Sequence, residues 1–439
     1  MLAGGLRITF YMAFVLAPLF LAALFKPVTH NGFLYETGRG FALIGFMVLN
    51  FQPLLASRLK WIERPFGLDI VIRHHKYMAV FATFLLICHP LLLSTGKKGF
   101  SIIAGTNVPW PVWLGRVAIV VLLANMFFSF SSLRGRIRFE TWRNIHDVLG
   151  PLLLVLIFAH SFFQGGDLKI KQMAYLWLAM SIAAVTAFVS HRLVRPRLLR
   201  RHAYKVIEVR RETPDVWTVK LSPPEGVKRF DYLPGQFQFL TFYRERGLPV
   251  EEHHWTISST PTESRYVSST IKELGDFTST IGKTKSGDTA AVHAPFGRFS
   301  YVLHPEEKDL MFIAVGIGIT PLMSMLRHMR DTQSDIRVLL LYANRTEEDI
   351  VFKMELQEIE DGGHPRLKTV HILSKAGDGW RGGTGRIDGE KIEKHCRCLS
   401  GKAFYLCGPA GLVDGVIKIL KGRGVRDGRM HREIFSFVN

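Results

Sequence analysis

Six long apolar runs, none extending past His191, constrain this chain more than any other feature. They cover Leu6–Phe25, Gly40–Ala56, Lys76–Ser94, Val112–Phe130, Ile145–Phe163 and Met173–His191. Each is about 17–20 residues long, enough to cross a hydrocarbon core of about 30 Å as an α-helix. Lipid offers the backbone no hydrogen bonds, so such runs are expected to satisfy their own N–H and C=O groups as six spanning helices. No A-x-A site follows the first run and five more runs come after it, so it reads as a span rather than a signal peptide.

Basic residues set the expected orientation. Arg58, Lys60, Arg64, Arg73 and Lys76 lie between spans two and three, and Arg134, Arg136, Arg138 and Arg143 between four and five. Arg192, Arg195, Arg197, Arg200 and Arg201 follow span six. The opposite loops carry fewer, namely Lys26, Lys97, Lys98, Lys169 and Lys171. With six spans all three clusters share one side, so both termini are expected in the cytoplasm and the protein in a plasma (inner) membrane. The net charge of +19 is then largely a collar facing anionic lipid. No interleaved aromatic–basic pattern accompanies it, so nucleic acid is not an expected partner. Protein partners are not indicated.

Two pairs of histidines sit inside these runs. His75 and His89 are fourteen residues apart, and so are His146 and His160. On a helix that spacing rises about 21 Å and returns to within about 40° of the same face. Two such helices side by side offer two His–His clamps, one near each membrane surface. A haem iron accepts one histidine on each axial side, so the clamps suit two b-type haems. An intramembrane histidine is costly to bury, and two identically spaced pairs are a poor accident. His74 lies about 60° off the face of His89, which favours His75 as the inner ligand. His191 reads as an interfacial residue. The four cysteines suggest no disulfide framework: Cys88 is in a span, and Cys396 and Cys398 form a lone C-x-C.

From about His202 the texture changes to short alternating runs among charged residues, glycines and prolines. YKVIEVRRE, VWTVKLSP and QFQFLTFY read as strands of a small antiparallel barrel reaching to about Tyr301. From Asp309 the pattern is βαβ: LMFIAVG, IRVLLLYANR, KTVHILS and KAFYLCG are strands separated by helical segments. That pattern is a doubly wound nucleotide-binding domain.

Several motifs in this half carry chemistry. In HHWTISS, His253, Trp255, Thr256 and Ser258 offer a ring to lie against a flavin and hydroxyls for its polar edge, although a plain polar strand end is the alternative. Lys272, Gly275, Phe277 and Thr278 follow in KELGDFT, where a helix N-terminus would suit a pyrophosphate. Gly297 sits in the APFG turn that closes the barrel. Gly316, Gly318, Thr320 and Pro321 lie in GIGITP, after a buried strand and at the start of a helix, where a backbone can approach a dinucleotide. Cys407, Gly408 and Pro409 end a later strand, the edge at which ligands bind in this fold. A small buried cysteine is the plainer reading of Cys407. Arg345 ends the second βα strand, where an arginine suits a 2′-phosphate and an acidic residue would suit a ribose hydroxyl; NADPH is therefore expected over NADH. A solvated loop arginine is the alternative.

The order of HHWTISS, KELGDFT, GIGITP and LCGP resembles the ferredoxin–NADP reductase type of FAD/NAD(P)H module. Joined to six spans with two histidine pairs, nearly the whole chain resembles the NADPH oxidase/ferric reductase superfamily, closest in look to its compact bacterial oxidases. The resemblance implies a flavin strand at His253–Ser258, with His254 and Trp255 where the family has proline and phenylalanine. It implies a nicotinamide site at Cys407–Pro409 and a C-terminal E-x-F at Glu433 and Phe435 whose aromatic covers the flavin, Phe437 being the alternative. Leu93 stands where animal oxidases carry a further histidine. The expected architecture is a multi-domain membrane protein: a six-helix haem-binding bundle over 1–195, an antiparallel β-barrel FAD domain over 202–303 and an α/β doubly wound NAD(P)H domain over 309–439. The implied activity moves electrons from NAD(P)H through FAD and two b-haems to an acceptor across the bilayer. Oxygen giving superoxide is the first expectation and a ferric chelate the second. A membrane haem redox sensor and a quinone-linked reductase are the other readings.

Overall fold

The computed structural model describes residues 2–25, 32–96, 99–130, 137–164, 166–396 and 398–434. Phe435 and Phe437 lie outside these, as do Lys26, Lys97, Lys98, Arg134 and Arg136. The chain divides into two compact units, Met1–Arg195 and Pro196–Asn439.

The first unit is helical. Its elements are α1 (Leu2–Phe25), α2 (Phe33–Ala56), α3 (Lys60–Phe66), α4 (Leu68–Leu93), α5 (Ser101–Ala104), α6 (Trp110–Phe130), α7 (Phe139–Gln164) and α8 (Lys171–Val189). A π-turn, Ser190–Val194, carries α8 into α9 (Arg195–Arg201). Six of the described helices are long and apolar enough to cross a membrane. Several start before the apolar run does. The helix that covers Lys76 to Leu93 begins at Leu68, after Gly67, whose φ of 89° favours glycine.

Small residues decide which helices touch. A Cβ on Gly38 would sit 2.8 Å from Leu92 Cβ, and one on Gly45 would sit 2.9 Å from Leu86, so glycine lets α2 lie close against α4. Phe46 stacks on Trp177 at 4.2 Å, and the Trp177 indole N–H donates to Ser161 Oγ at 3.1 Å, which joins α2, α8 and α7. Buried amides cannot be left unmet in such a core. Asn50 and Gln52 donate to carbonyls one turn back, at Phe46 and Val48. Phe20, Phe84, Val155 and Ile182 point outward, as a lipid-facing surface requires.

The second unit holds two sheets. The first contains β1 (Tyr204–Thr213), β2 (Val216–Ser222), β3 (Phe237–Tyr243), β4 (Glu252–Thr256), β5 (Val267–Lys272) and β6 (Thr289–Phe296), ordered β4-β3-β6-β1-β2-β5 with antiparallel pairings. Its edges, β4 and β5, meet just past β4, where Ser258 N–H donates to the Ser268 carbonyl at 2.8 Å. The second sheet contains β7 (Asp309–Val315), β8 (Arg337–Asn344), β9 (Arg366–Leu373), β10 (Gly383–Thr384), β11 (Ala403–Gly408) and β12 (Met430–Ile434), all parallel, in the order β10-β9-β8-β7-β11-β12. Helices α10 (Ile319–Asp331), α11 (Lys353–Gly362), α12 (Gly389–His395) and α13 (Ala410–Gly422) connect its strands. Both faces are buried, so strand β7 reads as unbroken apolar sequence. Phe312 packs into one core with Leu322 and Tyr405, while Met311 and Ile313 pack into another with Val413 and Leu420. Strand order reverses between β7 and β11, and their carboxyl ends therefore flank the crevice where this fold takes ligands.

Candidate functional site

The membrane unit brings the paired histidines together as the spacing requires. His75 of α4 faces His146 of α7, with ring centroids 6.3 Å apart and planes at 71°. Two metal–imidazole bonds of about 2 Å each, with the half-width of each ring added, span roughly the same distance. His74 instead sits edge-on to Tyr11 of α1 at 5.3 Å, away from that clamp. His89 and His160 form the second pair, within electrostatic reach of each other.

Neighbouring helices brace these rings. His89 Nδ1 lies 2.9 Å from the Gly38 carbonyl of α2, and His160 Nδ1 lies 2.7 Å from the Pro111 carbonyl of α6. A carbonyl only accepts, so both Nδ1 atoms carry the proton and both Nε2 atoms are left bare as metal ligands. His146 Nδ1 lies 2.9 Å from Asn125 Oδ1, which does the same with a side chain. Among the described residues His75 Nδ1 is buried with no hydrogen bond of ordinary geometry, the Gln52 backbone being its polar neighbour. Gly115 packs against His160; a Cβ there would come within 2.8 Å of the imidazole. The donor set of four neutral, inward-facing imidazoles, three oriented through Nδ1, fits two bis-histidine b-haems. Sequence reasoning missed Asn125, Gly115, Gly38 and Pro111. Each acts through an antiparallel neighbour that no local pattern announces.

In the second unit the flavin-strand candidates gather at one end of the first sheet. His253 lies 4.2 Å from the Phe277 ring and 3.0 Å from Glu251 Oε2. Among the described residues the buried Trp255 indole N–H has no hydrogen-bond partner. Thr256 is buried, and its carbonyl accepts from Ser269 Oγ at 2.9 Å. The Ser258 hydroxyl is spent internally, on Ser268 Oγ at 3.0 Å and Thr270 Oγ1 at 2.9 Å. Lys272 reaches Asp215 at 3.2 Å. The helix expected after KELGDFT is a six-residue 3₁₀ segment, Thr278–Lys283. Thr278 Oγ1 takes the N–H groups of Leu274 and Gly275 at 2.7 and 2.8 Å, which holds that turn closed. Gly297 needs its glycine because φ is 92° and the Phe237 ring lies 3.0 Å from where a Cβ would be.

The two nucleotide motifs meet at the reversal of strand order. Gly316 adopts φ 54°, and a Cβ on Gly318 would stand 2.3 Å from the Cys407 carbonyl. Only glycine permits this turn to press on the end of β11. Thr320 is buried with its hydroxyl on the Ile317 carbonyl at 3.1 Å, Pro321 is buried in the first turn of α10, and Pro409 precedes α13. Cys407 is 1% exposed and pairs in register with Ala314 on one side and Glu433 on the other. Burial, and then the Glu433 carboxylate, push its thiol well above the ordinary range, so it is a neutral wall rather than a nucleophile. Arg345 is two-thirds exposed and 3.4 Å from Asp349, whose carboxylate also closes the Thr346 turn.

One link was invisible in the sequence. Arg327 of α10 donates to the Ser258 carbonyl at 2.5 Å, and Ser324 Oγ donates to the Ser259 carbonyl at 2.7 Å. Arg327 is held in turn by Glu355 of α11 through two bonds at 2.8 and 2.6 Å. The helix that follows the glycine turn is thus tied to the backbone just beyond β4.

Comparison with known proteins agrees with both halves. The family described as ferric reductase like transmembrane component matches residues 41–157, and the oxidoreductase NAD-binding domain matches residues 312–418. The two matches and the six candidate spans together give the architecture of the NADPH oxidase/ferric reductase superfamily. A six-helix membrane region with the ferric reductase like component thus precedes an oxidoreductase NAD-binding domain, as in an integral membrane oxidoreductase. The glycine betaine monooxygenase reductase subunit of Pseudomonas aeruginosa is 30% identical over 244 residues, 54% of this chain and 64% of that protein. This chain therefore spans just under two thirds of that relative's length. NADH-cytochrome b5 reductase 1 of Debaryomyces hansenii is 31% identical over 196 residues, 40% of this chain and 69% of that protein. The flavohem-like FAD/NAD-binding domain of nitric oxide dioxygenase from Vibrio cholerae superposes with a TM-score of 0.48 at 23% identity, over 53% of this chain and 98% of that one.

Proposed function

We propose that this superfamily member carries electrons from cytoplasmic NAD(P)H across the membrane to molecular oxygen, giving superoxide. The reading rests above all on the facing histidines of α4 and α7, three of which are oriented by an oxygen acceptor at Nδ1. When bound, FAD accepts a hydride and hands on single electrons, and b-haems relay them. His75 and His146 would hold the inner haem, His89 and His160 the outer one. His253, Trp255, Thr256, Ser258, Lys272, Gly275, Phe277, Thr278 and Gly297 would line the flavin site. Gly316, Gly318, Thr320, Pro321, Gly408 and Pro409 would seat the dinucleotide, with Cys407 as an apolar wall beside the nicotinamide and Glu433 and Phe435 near the flavin face. The proposed working parts are 1–195, 202–303 and 309–439. The proposed setting is a plasma membrane with both termini cytoplasmic.

If each histidine pair holds one haem, both of its protein ligands would be taken, and the acceptor would be reduced without binding iron. A ferric chelate is the second reading, favoured by the match to the ferric reductase like component. Proteoliposomes given NADPH inside and either oxygen or a ferric chelate outside decide between them. Dye reduction sensitive to superoxide dismutase supports oxygen. Chelate reduction that persists without oxygen, with no superoxide signal, replaces it.

Arg345 supports a preference for NADPH, because a charge-assisted bond to a 2′-phosphate is stronger than a neutral one. Arg345→Ala is expected to reduce kcat/KM for NADPH while leaving that for NADH unchanged. Equal loss with both nucleotides would remove Arg345 from that role.

A further inference from the structure

At the amino end of the second sheet, opposite the nucleotide crevice, His304, Glu307 and His431 converge. Each offers a ligand atom within 4.8 Å of the others. His304 and Glu307 belong to one tight turn, closed by Glu307 N–H donating to the His304 carbonyl at 3.0 Å, just before β7. His431 comes from β12, where it lies in register with Tyr405 of β11. We propose that these three side chains form a binding site for one divalent transition-metal ion of the zinc class.

Glu307 is 3% exposed. A carboxylate so buried needs cations or donors around it. Tyr405 OH donates to Oε2 at 2.7 Å, and His431 Nε2 lies 3.0 and 3.1 Å from its two oxygens. Arg429 stands off at 4.0 Å from Oε1. His304 stacks on His431 with centroids 4.1 Å apart, so two imidazoles crowd one carboxylate. Two imidazolium ions at that separation would repel. A divalent ion instead takes both rings as neutral nitrogen ligands and the carboxylate as its anion. Imidazole with carboxylate selects zinc, cobalt, nickel or copper over magnesium and calcium. The side chains of His304 and His431 are 32% and 16% exposed, which leaves water a way to complete the coordination. Glu306 Oε1 lies 3.8 Å from His304 Nδ1, a further carboxylate beside the cluster. A bound ion would fasten the turn before β7 to the strand that carries Glu433, two residues beyond His431.

The test uses untagged, haem- and flavin-loaded full-length protein, stripped with a chelator and titrated with zinc, and with cobalt for its visible absorption. One zinc equivalent is expected, with a cobalt spectrum showing nitrogen ligation. His304→Ala and His431→Ala should each weaken that equivalent by about 10–100-fold. His304→Ala keeps both donors to Glu307, so the fold survives for the measurement. Arg429→Gln, which removes the competing cation, should tighten binding, while His395→Ala should change nothing. Absence of a stoichiometric equivalent would overturn the site and leave a plain carboxylate–imidazole pair. So would binding that is unchanged in both histidine variants of folded protein.

Discussion

A single nitrogen atom decides how each intramembrane histidine behaves. With Nδ1 held by an oxygen acceptor, the ring is fixed in orientation and its Nε2 lone pair is presented. For His146 that acceptor is Asn125 Oδ1, a side chain that substitution can remove. Asn125→Leu keeps the volume and deletes the acceptor. It is expected to weaken retention of the inner haem by about 10–100-fold, the usual cost of losing such an outer partner. Haem content and the potentiometric midpoint of purified protein would show it, and unchanged values in both would free His146 from Asn125. Gly115 tests the other end. A methyl 2.8 Å from the His160 ring must push it off the Pro111 carbonyl. Gly115→Ala is therefore expected to lose the outer haem selectively, read as a fall from two haems per chain to one. The histidine pairing itself was legible because a helix repeats its faces at fixed intervals. Asn125 and Gly115 were not, since their roles exist only once α6 lies antiparallel to α7.

Elements were legible where local sequence repeats a local geometry, and not where distant strands meet. The apolar runs and the βα turn at Gly316 are of the first kind. The hydroxyl cluster of Ser258, Ser268 and Thr270 is of the second, because it requires the chain after β4 to return beside β5. The tie between α10 and the Ser258 carbonyl is likewise non-local, and its strength depends on pH. Burial raises the Glu355 carboxyl, but its hydrogen bond to Arg327 and the charges of Arg327, Arg330 and Arg210 outweigh that and leave it below the ordinary range. A carboxyl depressed in the folded state stabilises above its unfolded value, about 4.3, and that contribution disappears as pH falls through the folded value. Unfolding midpoints should therefore drop on acidification below about pH 4.3. In Glu355→Gln the acid limb should be flatter, and stability at neutral pH lower by about 1.5–3 kcal/mol, the range for a charged hydrogen bond. Thermal melts across a pH series check both, and an equally steep acid limb in the variant would assign the dependence to other groups.

At the scale of the whole molecule, one chain joins a nucleotide-binding half to a membrane half, and the proposed function requires electrons to leave the first through the second. The two halves can be separated by chemistry without being cut apart. His89 lies fourteen residues beyond His75 on α4, within the first unit. His89→Leu replaces a half-buried imidazole with an apolar side chain of similar size; it loses the bond to the Gly38 carbonyl, while the close approach of Gly38 and Gly45 to Leu92 and Leu86 still holds α4 against α2. The variant should bind one haem per chain where the proposed two-clamp arrangement gives two. NADPH oxidation by a soluble dye that takes electrons directly from flavin should persist in detergent. Reduction of any acceptor outside sealed proteoliposomes should fall to background. The opposite pattern, far-side reduction retained with one haem lost, would mean that His89 is not on the electron route. One haem in the unaltered protein would remove the two-clamp arrangement. Loss of dye reduction as well would show that the substitution had damaged the nucleotide half, and His160→Leu, on the facing helix, would then repeat the test from the other side of the same clamp.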